Sequence, residues 1–280
     1  MPPSEHACAI CHDPIEPGLQ LLHPSVTVCL ACLSVEERRR LESDLQSAAQ
    51  AQRALLPPLQ VQHDGWQIAY TWMPAGAVSG DHVDLLRPAR ETDPLHLLLG
   101  DVAGKGVAAA LLQSRLHAIF RAVASPDVEL TALLARTNEL LAESTLAASY
   151  ATLVALRLHA DGRVELGNAG HPLPLLADRR GVRPVEGSDL PLGLFPDASF
   201  TRRELDLAPG STLLLFTDGL TEAEAGGEEF GIGRAAAALR RAAALPPTEL
   251  LASMRADLQF WLKGAPRGDD LTIVAIRRAE

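Results

Sequence analysis

The chain has 280 residues, of which 47% are hydrophobic and 21% are charged, and its formal net charge is −10. These values are typical of a globular protein with one sizeable domain and an appendage. The acidic balance argues against general nucleic-acid binding, because that function needs a basic face. No apolar run is long enough to span a bilayer and no signal-peptide pattern begins the sequence, so we expect a cytoplasmic protein with no membrane partner.

All four cysteines lie near the start of the chain, in two C-x-x-C pairs: Cys8, Cys11, Cys29 and Cys32. Two such pairs separated by a short loop have the spacing of a four-thiolate zinc site. Two disulfides are the alternative, which a reducing compartment disfavours. The string C-x-x-C-H that ends at His12 is also found at haem attachment sites, but haem would leave the second pair unexplained. We therefore predict a structural zinc-binding module over residues 1–33.

A helix is predicted to follow the cysteines. Ser34 and Glu37 form a capping-box pattern, after which seam positions recur at alternating spacings of four and three residues. The seam consists of Leu41, Leu45, Ala48, Gln52 and Leu55. Pro57 and Pro58 are expected to end the helix. We predict a coiled-coil-like linker over residues 34–58 that forms a homodimer and transmits a signal; the alternative is a helix that packs on its own domain.

Residues 59–280 are predicted to form one domain of strands and helices. Apolar runs predict strands at residues 68–72, 95–99, 150–158, 164–167, 173–176, 212–216 and 271–276. Helical periodicity predicts helices at residues 107–123, 130–143, 234–244 and 248–262. Because strands and helices do not alternate strictly, we expect an α+β fold with antiparallel sheets rather than a doubly wound parallel sheet.

Aspartates stand beside glycines at the ends of several of these apolar runs. They are Gly80–Asp81, Gly100–Asp101, Asp218–Gly219 and Gly268–Asp269, with Asp270 directly after the last pair. Carboxylates at strand ends converge when the strands pair, and clustered carboxylates repel one another unless a cation neutralises them. Divalent ions prefer oxygen ligands, and two such ions together form a hydrolytic centre. Each Gly–Asp pair taken alone is more typical of a turn or a helix cap.

The motifs around these aspartates resemble, in the same order, those of the bacterial serine/threonine phosphatases of the stage II sporulation protein E and RsbU type. The matching stretches are residues 78–84, 100–109, 168–172, 192–193, 216–222 and 269–272. Many motifs in one order are far more specific than any single motif. The resemblance implies the fold of the metal-dependent protein phosphatases (the PPM family), a β-sandwich flanked by helices.

The resemblance also implies roles for individual residues. Asp101 would bridge two Mn²⁺ or Mg²⁺ ions, and Asp218 and Asp269 would complete one of the two sites. Asp81 and the carbonyl group of Val102 would serve the other site, largely through water. Asp101 and Asp218 would therefore act in catalysis through the bound metals.

Other residues near these motifs leave alternatives open. Asp270 directly follows Asp269, and either could be the direct metal ligand, with Asp269 favoured. Ala103–Gly104 stand where eukaryotic relatives carry a histidine that acts as an acid, so the general acid is unassigned. Lys105 is at most a substrate contact, and Arg267 is a candidate phosphate-binding residue because it is close to Asp269 in sequence.

The sequence therefore predicts a metal-dependent protein serine/threonine phosphatase. The resemblance implies that its substrate is a phosphorylated anti-anti-sigma factor of the STAS type, in a partner-switching pathway. A catalytically inactive phosphatase-like scaffold with a zinc-dependent interaction module is the alternative, which the presence of all the principal aspartates disfavours. A DNA-binding zinc finger is a poor interpretation, because residues 8–32 contain no Lys or Arg.

Overall fold

The structure is a computed structural model that describes residues 7–11, 13, 28–88, 90, 93–143 and 150–280. The chain divides into two compact units, residues 1–51 and residues 52–280. All four cysteines and all the aspartates of the acidic motifs are among the described residues. The haem-type string that ends at His12 includes a position outside them.

The first unit contains a 3₁₀ turn at Leu30–Cys32 and most of helix α1, Val35–Arg53. The predicted capping box is present: the Ser34 N–H donates to Glu37 Oε2 at 2.9 Å, and the Glu37 N–H donates to Ser34 Oγ at 3.2 Å. These bonds satisfy N–H groups that have no partner inside the helix, so α1 begins where the sequence predicts.

The end of α1 differs from the prediction. The helix stops at Arg53, and the N–H groups of Leu55 and Leu56 donate to carbonyl groups three residues earlier, in a tightened last turn. Pro57 disfavours the helical conformation of the residue before it, which explains the early end. Leu55 of the predicted seam therefore lies beyond the helix.

The second unit is built on two antiparallel sheets. In spatial order, the first sheet comprises β1 (Gln60–His63), β2 (Trp66–Met73), β13 (Leu271–Arg278), β10 (Thr212–Phe216), β7 (Leu175–Asp178) and β8 (Gly181–Pro184). The second comprises β3 (His82–Leu86), β4 (Leu95–Val102), β5 (Ala151–Leu158), β6 (Arg163–Ala169) and β9 (Arg203–Asp206). A separate small hairpin joins β11 (Glu224–Ala225) to β12 (Glu228–Glu229).

Helices cover the outer faces of both sheets. The second sheet is covered by α2 (Gly106–Val123) and α3 (Leu130–Ala142), and the first by α5 (Gly231–Ala242) and α6 (Pro247–Leu262). A single helical turn, α4 (Asp218–Thr221), follows β10. No helix in the described part of the chain is long and apolar enough to cross a membrane.

Side-chain alternation along β4 produces this layering. Leu95, Leu97 and Leu99 point into the core between the two sheets. Leu98 and Val102 point into the core beneath α2 and α3. Because both faces of β4 are buried, the strand forms one continuous apolar run in the sequence. The result is a helix–sheet–sheet–helix sandwich, which confirms the predicted α+β class.

The strands of the two main sheets that the sequence analysis missed share one property. All seven predicted strands and all four predicted helices of residues 59–280 are present, β10 with the predicted ends and the others with shifted ends. The hairpin strands β11 and β12 and the helical turn α4 were not predicted, and neither were β1, β3, β8 and β9. These four strands form the edges of the two sheets. Edge strands tolerate polar residues, so their apolar pattern is weak. In β3 the pattern is interrupted by a buried aspartate, Asp84, and not by exposure.

Asp84 is fully buried and accepts hydrogen bonds from Arg121 of α2, from Nε at 2.8 Å and from Nη2 at 2.7 Å. We predict that Asp84→Ala lowers the free energy of unfolding by about 2–4 kcal/mol, because it removes a buried partner of a guanidinium. Urea denaturation measures this loss. The control Asp178→Ala breaks a similar pair with Arg183 near the surface and should cost at most about 1 kcal/mol. Equal losses in the two variants would contradict the prediction.

Candidate metal centre and cleft

The aspartates that the sequence singles out lie at one end of the two sheets. Asp101 lies near the end of β4 and Asp218 lies two residues beyond the end of β10, whereas Asp81 directly precedes β3 and Asp269 and Asp270 precede β13. β10 pairs with β13 and β3 pairs with β4, both antiparallel. The end of one strand in each pair therefore lies beside the start of its neighbour, which gathers carboxylates from distant parts of the chain.

Asp81 is buried among neutral hydrogen-bond donors. Its Oδ2 accepts a bond from Thr272 Oγ1 at 2.6 Å and another from Thr217 Oγ1 at 3.0 Å. Burial raises the pKa of Asp81 well above its ordinary value, and the nearby charges of Asp101 and Asp270 raise it further. The threonines thus fix the position of the carboxylate without supplying the positive charge that its ionised form needs.

Asp101 and Asp218 show the same need for a cation. Burial and then the charges of Asp218, Asp269 and Asp270 raise the pKa of Asp101 to about 7. Burial and then the charge of Asp269 raise the pKa of Asp218. Carboxylates that oppose one another's ionisation in this way favour the binding of a divalent cation.

Gly80 allows the backbone to approach these oxygens closely. A Cβ atom at Gly80 would lie 3.1 Å from the Val102 carbonyl oxygen and 3.2 Å from Asp101 Oδ1. The Val102 carbonyl group and the Asp101 carboxylate thus lie beside one another, next to the backbone that leads to Asp81. Any side chain at position 80 would crowd both oxygens.

Asp269 and Asp270 have different surroundings. Asp270 Oδ1 accepts a hydrogen bond from the Ala75 N–H at 2.7 Å, and its Oδ2 accepts one from the Gly80 N–H at 2.8 Å. Asp270 therefore holds the loop that leads to Asp81. Asp269 Oδ1 caps the Asp270 N–H at 2.9 Å, and its Oδ2 lies 2.9 Å from Lys105 Nζ, so this second oxygen faces the cluster.

The two basic residues near Asp269 are also used differently. Arg267 Nη1 donates to the carbonyl oxygens of Met73 and Asp269, and its Nη2 donates to that of Pro74. Its guanidinium therefore braces the backbone and does not point freely into the site, which disfavours the phosphate-binding role considered from sequence. Lys105 instead pairs with the Asp269 carboxylate.

A cleft of about 650 Å³ opens beside Asp101 and Asp218. Its walls also include Thr152, His171, Glu186, Ser188 and Glu222. Among the described residues that line it there is no Arg or Lys, so the walls are acidic or neutral. A phosphorylated side chain entering this cleft would approach carboxylates, and only bound cations or a basic residue outside the walls could compensate for their charge.

His171 is part of the structure that shapes the cleft. Burial lowers its pKa to about 3, so the imidazole is neutral, and its Nδ1 lies 2.9 Å from Thr152 Oγ1. Asn168 binds the backbone of His171 twice, through Nδ2 to the carbonyl oxygen at 3.0 Å and through Oδ1 from the N–H at 2.8 Å. These bonds give Asn168 and His171 a structural role in this motif.

A second polar network begins at Gln52. The Ser79 N–H donates to Gln52 Oε1 at 2.9 Å and Gln52 Nε2 donates to the Ser79 carbonyl oxygen at 2.6 Å, which fixes the orientation of this amide. Gln52 Nε2 also donates to Gln113 Oε1 at 3.1 Å, so Gln113 Nε2 is the donor to His82 Nδ1 at 2.6 Å. Burial lowers the pKa of His82 to about 3, and the neutral ring therefore carries its proton on Nε2.

The network continues through a cluster with the composition of a metal site. His82 Nε2 lies 3.3 Å from His117 Nδ1, which lies 3.2 Å from Asp84 Oδ2, and the three ligand atoms lie within 4.8 Å of one another. A metal ligand needs an imidazole nitrogen without a proton, whereas His82 carries its proton there. Arg121 already binds both oxygens of Asp84. The cluster is therefore a hydrogen-bonded connection between α2 and β3.

In the first unit, the structure brings the four cysteines together as free thiols. Their Sγ atoms lie within 4.8 Å of one another, and Cys8 Sγ accepts bonds from the N–H groups of Ile10 at 3.4 Å and Cys29 at 3.3 Å. Backbone donors, first that of Cys11 and then that of Cys29, lower the pKa of the Cys8 thiol to about 6. Four Sγ atoms this close together are compatible with the four-thiolate site that the sequence predicts.

Some residues of the site were not found from the sequence. Thr217 directly precedes Asp218 and Thr272 lies two residues after Asp270, both inside the recognised motifs, so a hydroxyl near a strand-end carboxylate was the available signal. Gln52 was assigned to a dimer seam, but it is buried and bound to Ser79 and Gln113. Nothing in the local pattern distinguishes these two roles.

Comparison with known proteins identifies the family of the chain. The family model described as Stage II sporulation protein E (SpoIIE) matches residues 91–279. Protein IcfG of Synechocystis sp. is 26% identical over 264 residues, which cover 84% of this chain and 41% of IcfG. Phosphoserine phosphatase RsbU of Bacillus subtilis is 23% identical over 188 residues, which cover 66% of this chain and 55% of RsbU. The chain therefore spans only about half the length of these relatives.

Solved structures show the same fold. The SiaA-PP2C domain of Pseudomonas aeruginosa has a TM-score of 0.75 at 25% identity, and the match covers 87% of this chain and 99% of that domain. The catalytic domain of the serine/threonine protein phosphatase PstP, in complex with two manganese ions, has a TM-score of 0.55 at 19% identity over 77% of this chain and 99% of that domain. The predicted phosphatase fold is thereby confirmed, and the chain belongs to the stage II sporulation protein E family.

Proposed function

We propose that this chain is a metal-dependent protein serine/threonine phosphatase. The observation that carries the proposal is the gathering of Asp81, Asp101, Asp218 and Asp269 with the Val102 carbonyl group beside an open cleft. Buried carboxylates that raise one another's pKa are unfavourable unless a cation joins them. A family match over most of the domain and relatives named phosphoserine phosphatases support the same activity.

The residues present fit two divalent ions of the Mn²⁺ or Mg²⁺ type. All the donors are oxygens, as these hard ions prefer, and the gap beside Gly80 keeps the Val102 and Asp101 oxygens accessible. Asp101 would bridge the ions, Asp218 and Asp269 would complete one site, and Asp81 with the Val102 carbonyl would serve the other. When bound, such a pair supplies a water of lowered pKa as nucleophile and positive charge for the phosphoryl oxygens.

The protein's own groups position these ligands. Thr217 and Thr272 hold the carboxylate of Asp81, and Asp270 holds the backbone at Gly80. The donors in these bonds, the two threonine hydroxyl groups and the Gly80 N–H, are neutral, so they orient the ligands without replacing the cations. We therefore assign Asp270 to positioning and Asp269 to direct ligation. The cleft receives the phosphorylated side chain, and its acidic walls repel a phosphate dianion until metal is bound.

We propose that the substrate is a phosphorylated STAS-type anti-anti-sigma protein. The family match and the likeness to RsbU, 23% identical over 188 residues, support a role in partner switching. A structure containing the RsbU and RsbW domains of Rv1364c from Mycobacterium tuberculosis also matches this chain, with a TM-score of 0.65 at 28% identity. Dephosphorylation would change which regulatory partner the STAS protein binds.

The first unit is proposed to be a zinc module joined to the phosphatase by α1. We assign residues 1–33 to the zinc module, 34–58 to the linker and 59–280 to the phosphatase domain. Cys8, Cys11, Cys29 and Cys32 form a tetrahedral donor set that needs no further ligand. Dimerisation through Leu41, Leu45 and Ala48 of α1 stays part of the proposal, with a seam that ends before Gln52, because Gln52 is buried.

Replacement of one metal ligand tests the catalytic proposal. We predict that Asp218→Asn lowers Mn²⁺-dependent hydrolysis of a phosphoserine peptide by about 100-fold or more, because loss of an electrostatic contact in the transition state has effects of this size. The control Asp178→Asn changes an aspartate outside the cluster and should keep full activity. Unchanged metal-dependent turnover in Asp218→Asn would refute the proposal. Mn²⁺ binding by the wild type without hydrolysis would favour the inactive scaffold.

The zinc proposal has an independent test. Elemental analysis of the full chain, purified under reducing conditions, should find about one zinc ion per chain, as a single four-thiolate site requires. Cys8→Ser should lose most of this zinc, because it removes one of four thiolates, whereas Asp218→Asn should keep it. A wild-type protein that holds two disulfides and no zinc would show the prediction to be wrong.

The raised pKa of Asp101 predicts how the free energy of unfolding depends on pH when a chelator keeps the protein free of metal. Between its ordinary pKa of 3.8 and its folded pKa of about 7, the folded protein binds more protons at Asp101 than the unfolded chain does. Stability contributed by this group is therefore lost as the pH rises through this window. Denaturation of wild type and Asp101→Asn at several pH values should show the difference in stability, wild type minus variant, falling between about pH 4 and pH 7. A constant difference would contradict the prediction.

A further inference from the structure

Lys105 is the basic residue that faces the acidic cluster. Its Nζ lies 2.9 Å from Asp269 Oδ2 and donates to the Gly268 carbonyl oxygen at 2.8 Å. Its charge also opposes the rise in the pKa of Asp101 and of Asp218, so the ammonium interacts electrostatically with both of these carboxylates. An ammonium group has three N–H donors, and these two contacts account for two of them.

The cleft itself provides no such cation among the residues described. Its acidic walls include Glu186 and Glu222, and the imidazole of His171 is neutral. Arg267, the other basic side chain near Asp269, is engaged by three backbone carbonyl groups. Lys105 is therefore the basic side chain that the structure places against a carboxylate of the cluster.

Lys105 can leave its present partner at little cost. Its side chain is 65% exposed and that of Asp269 is 43% exposed, and ion pairs of this kind contribute about 0–1 kcal/mol. Gly104 and Gly106 flank the residue with φ values of 108° and 71°, and a Cβ at either position would meet nothing within 4 Å. The segment around Lys105 is therefore not packed against neighbouring groups.

The residue type suits a movable contact. Lys105 and Lys263 are the two lysines among 25 basic residues, so arginine supplies almost all the positive charge of this chain. Arginine presents a rigid planar fork, which in this protein forms fixed pairs such as Arg121 with Asp84. Lysine is a compact charge on a flexible stem, and it can exchange one anionic partner for another without a fixed geometry.

We propose that Lys105 binds the phosphoryl group of the substrate, and that its ammonium competes with a metal ion for Asp269. The inference rests on the proposed phosphatase function. Asp269 Oδ2 cannot hold the ammonium and a metal ion at the same point, so metal binding releases Lys105 from this oxygen. The released ammonium then has its donors available for an anion beside Asp101 and Asp218.

The proposal predicts opposite changes in two affinities when the charge is removed. In Lys105→Met, isothermal titration with Mn²⁺ should show affinity about two- to fivefold tighter than wild type, as expected when a competing surface ion pair is lost. With Mn²⁺ saturating, the inhibition constant of inorganic phosphate should rise by about tenfold or more, because a charge-assisted hydrogen bond is lost. Lys105→Arg, which keeps the charge, should recover much of the phosphate affinity.

Lys263→Met is the matched control, since it removes the other lysine at the end of α6, and both affinities should stay at the wild-type values. A purely structural role of Lys105 would weaken both Mn²⁺ and phosphate binding, which would overturn the inference. Normal Mn²⁺ binding with unchanged phosphate inhibition in Lys105→Met would overturn the inference alone. Absence of Mn²⁺ binding by the wild type would overturn the proposed function, and this inference with it.

Discussion

Electrostatic repulsion among aspartates is the constraint on which the site depends. Asp81, Asp101, Asp218 and Asp269 come from four separate strand ends, and strand pairing places them within one another's field. Burial removes the water that would otherwise screen their charges, which raises the pKa values of Asp81, Asp101 and Asp218. The two sheets can hold this arrangement because large apolar cores lie between them and beneath the helices.

Neutral donors do most of the positioning around these charges. The hydroxyl groups of Thr217 and Thr272 fix Asp81, and backbone N–H groups of Ala75 and Gly80 fix Asp270. A guanidinium in any of these places would hold a carboxylate equally well but would also neutralise it, and so weaken its attraction for a metal ion. Strong Arg–Asp pairing is found instead at Asp84, outside the cluster. The separation of the two kinds of partner keeps the cluster available for divalent cations.

A continuous hydrogen-bonded network accompanies the acidic site. It runs from Ser79, two residues before Asp81, through Gln52 and Gln113 to His82. The fixed orientation of the Gln52 amide sets the direction of every later bond, and it leaves the His82 proton on Nε2. This proton order explains why a cluster with metal-binding composition, His82 with Asp84 and His117, serves as a connection between α2 and β3. The direction of the hydrogen bonds, and not the residue composition, therefore determines whether this cluster could bind a metal ion.

The sequence by itself determined the parts of this protein that depend on local pattern. Strands buried on both faces, such as β4 and β13, are continuous apolar runs, and the amphipathic helices and the capping box of α1 follow from residue spacing. The ordered motifs also identified the aspartates and cysteines as candidate metal ligands, because those residue types have few uses in such patterns. Only the tertiary structure decided the edge strands, the early end of α1, and the separate surroundings of Asp269 and Asp270. It also decided that Arg267 braces backbone while Lys105 faces the cluster. These features depend on contacts between residues far apart in the chain, and local spacing contains no information about which distant group will be the partner.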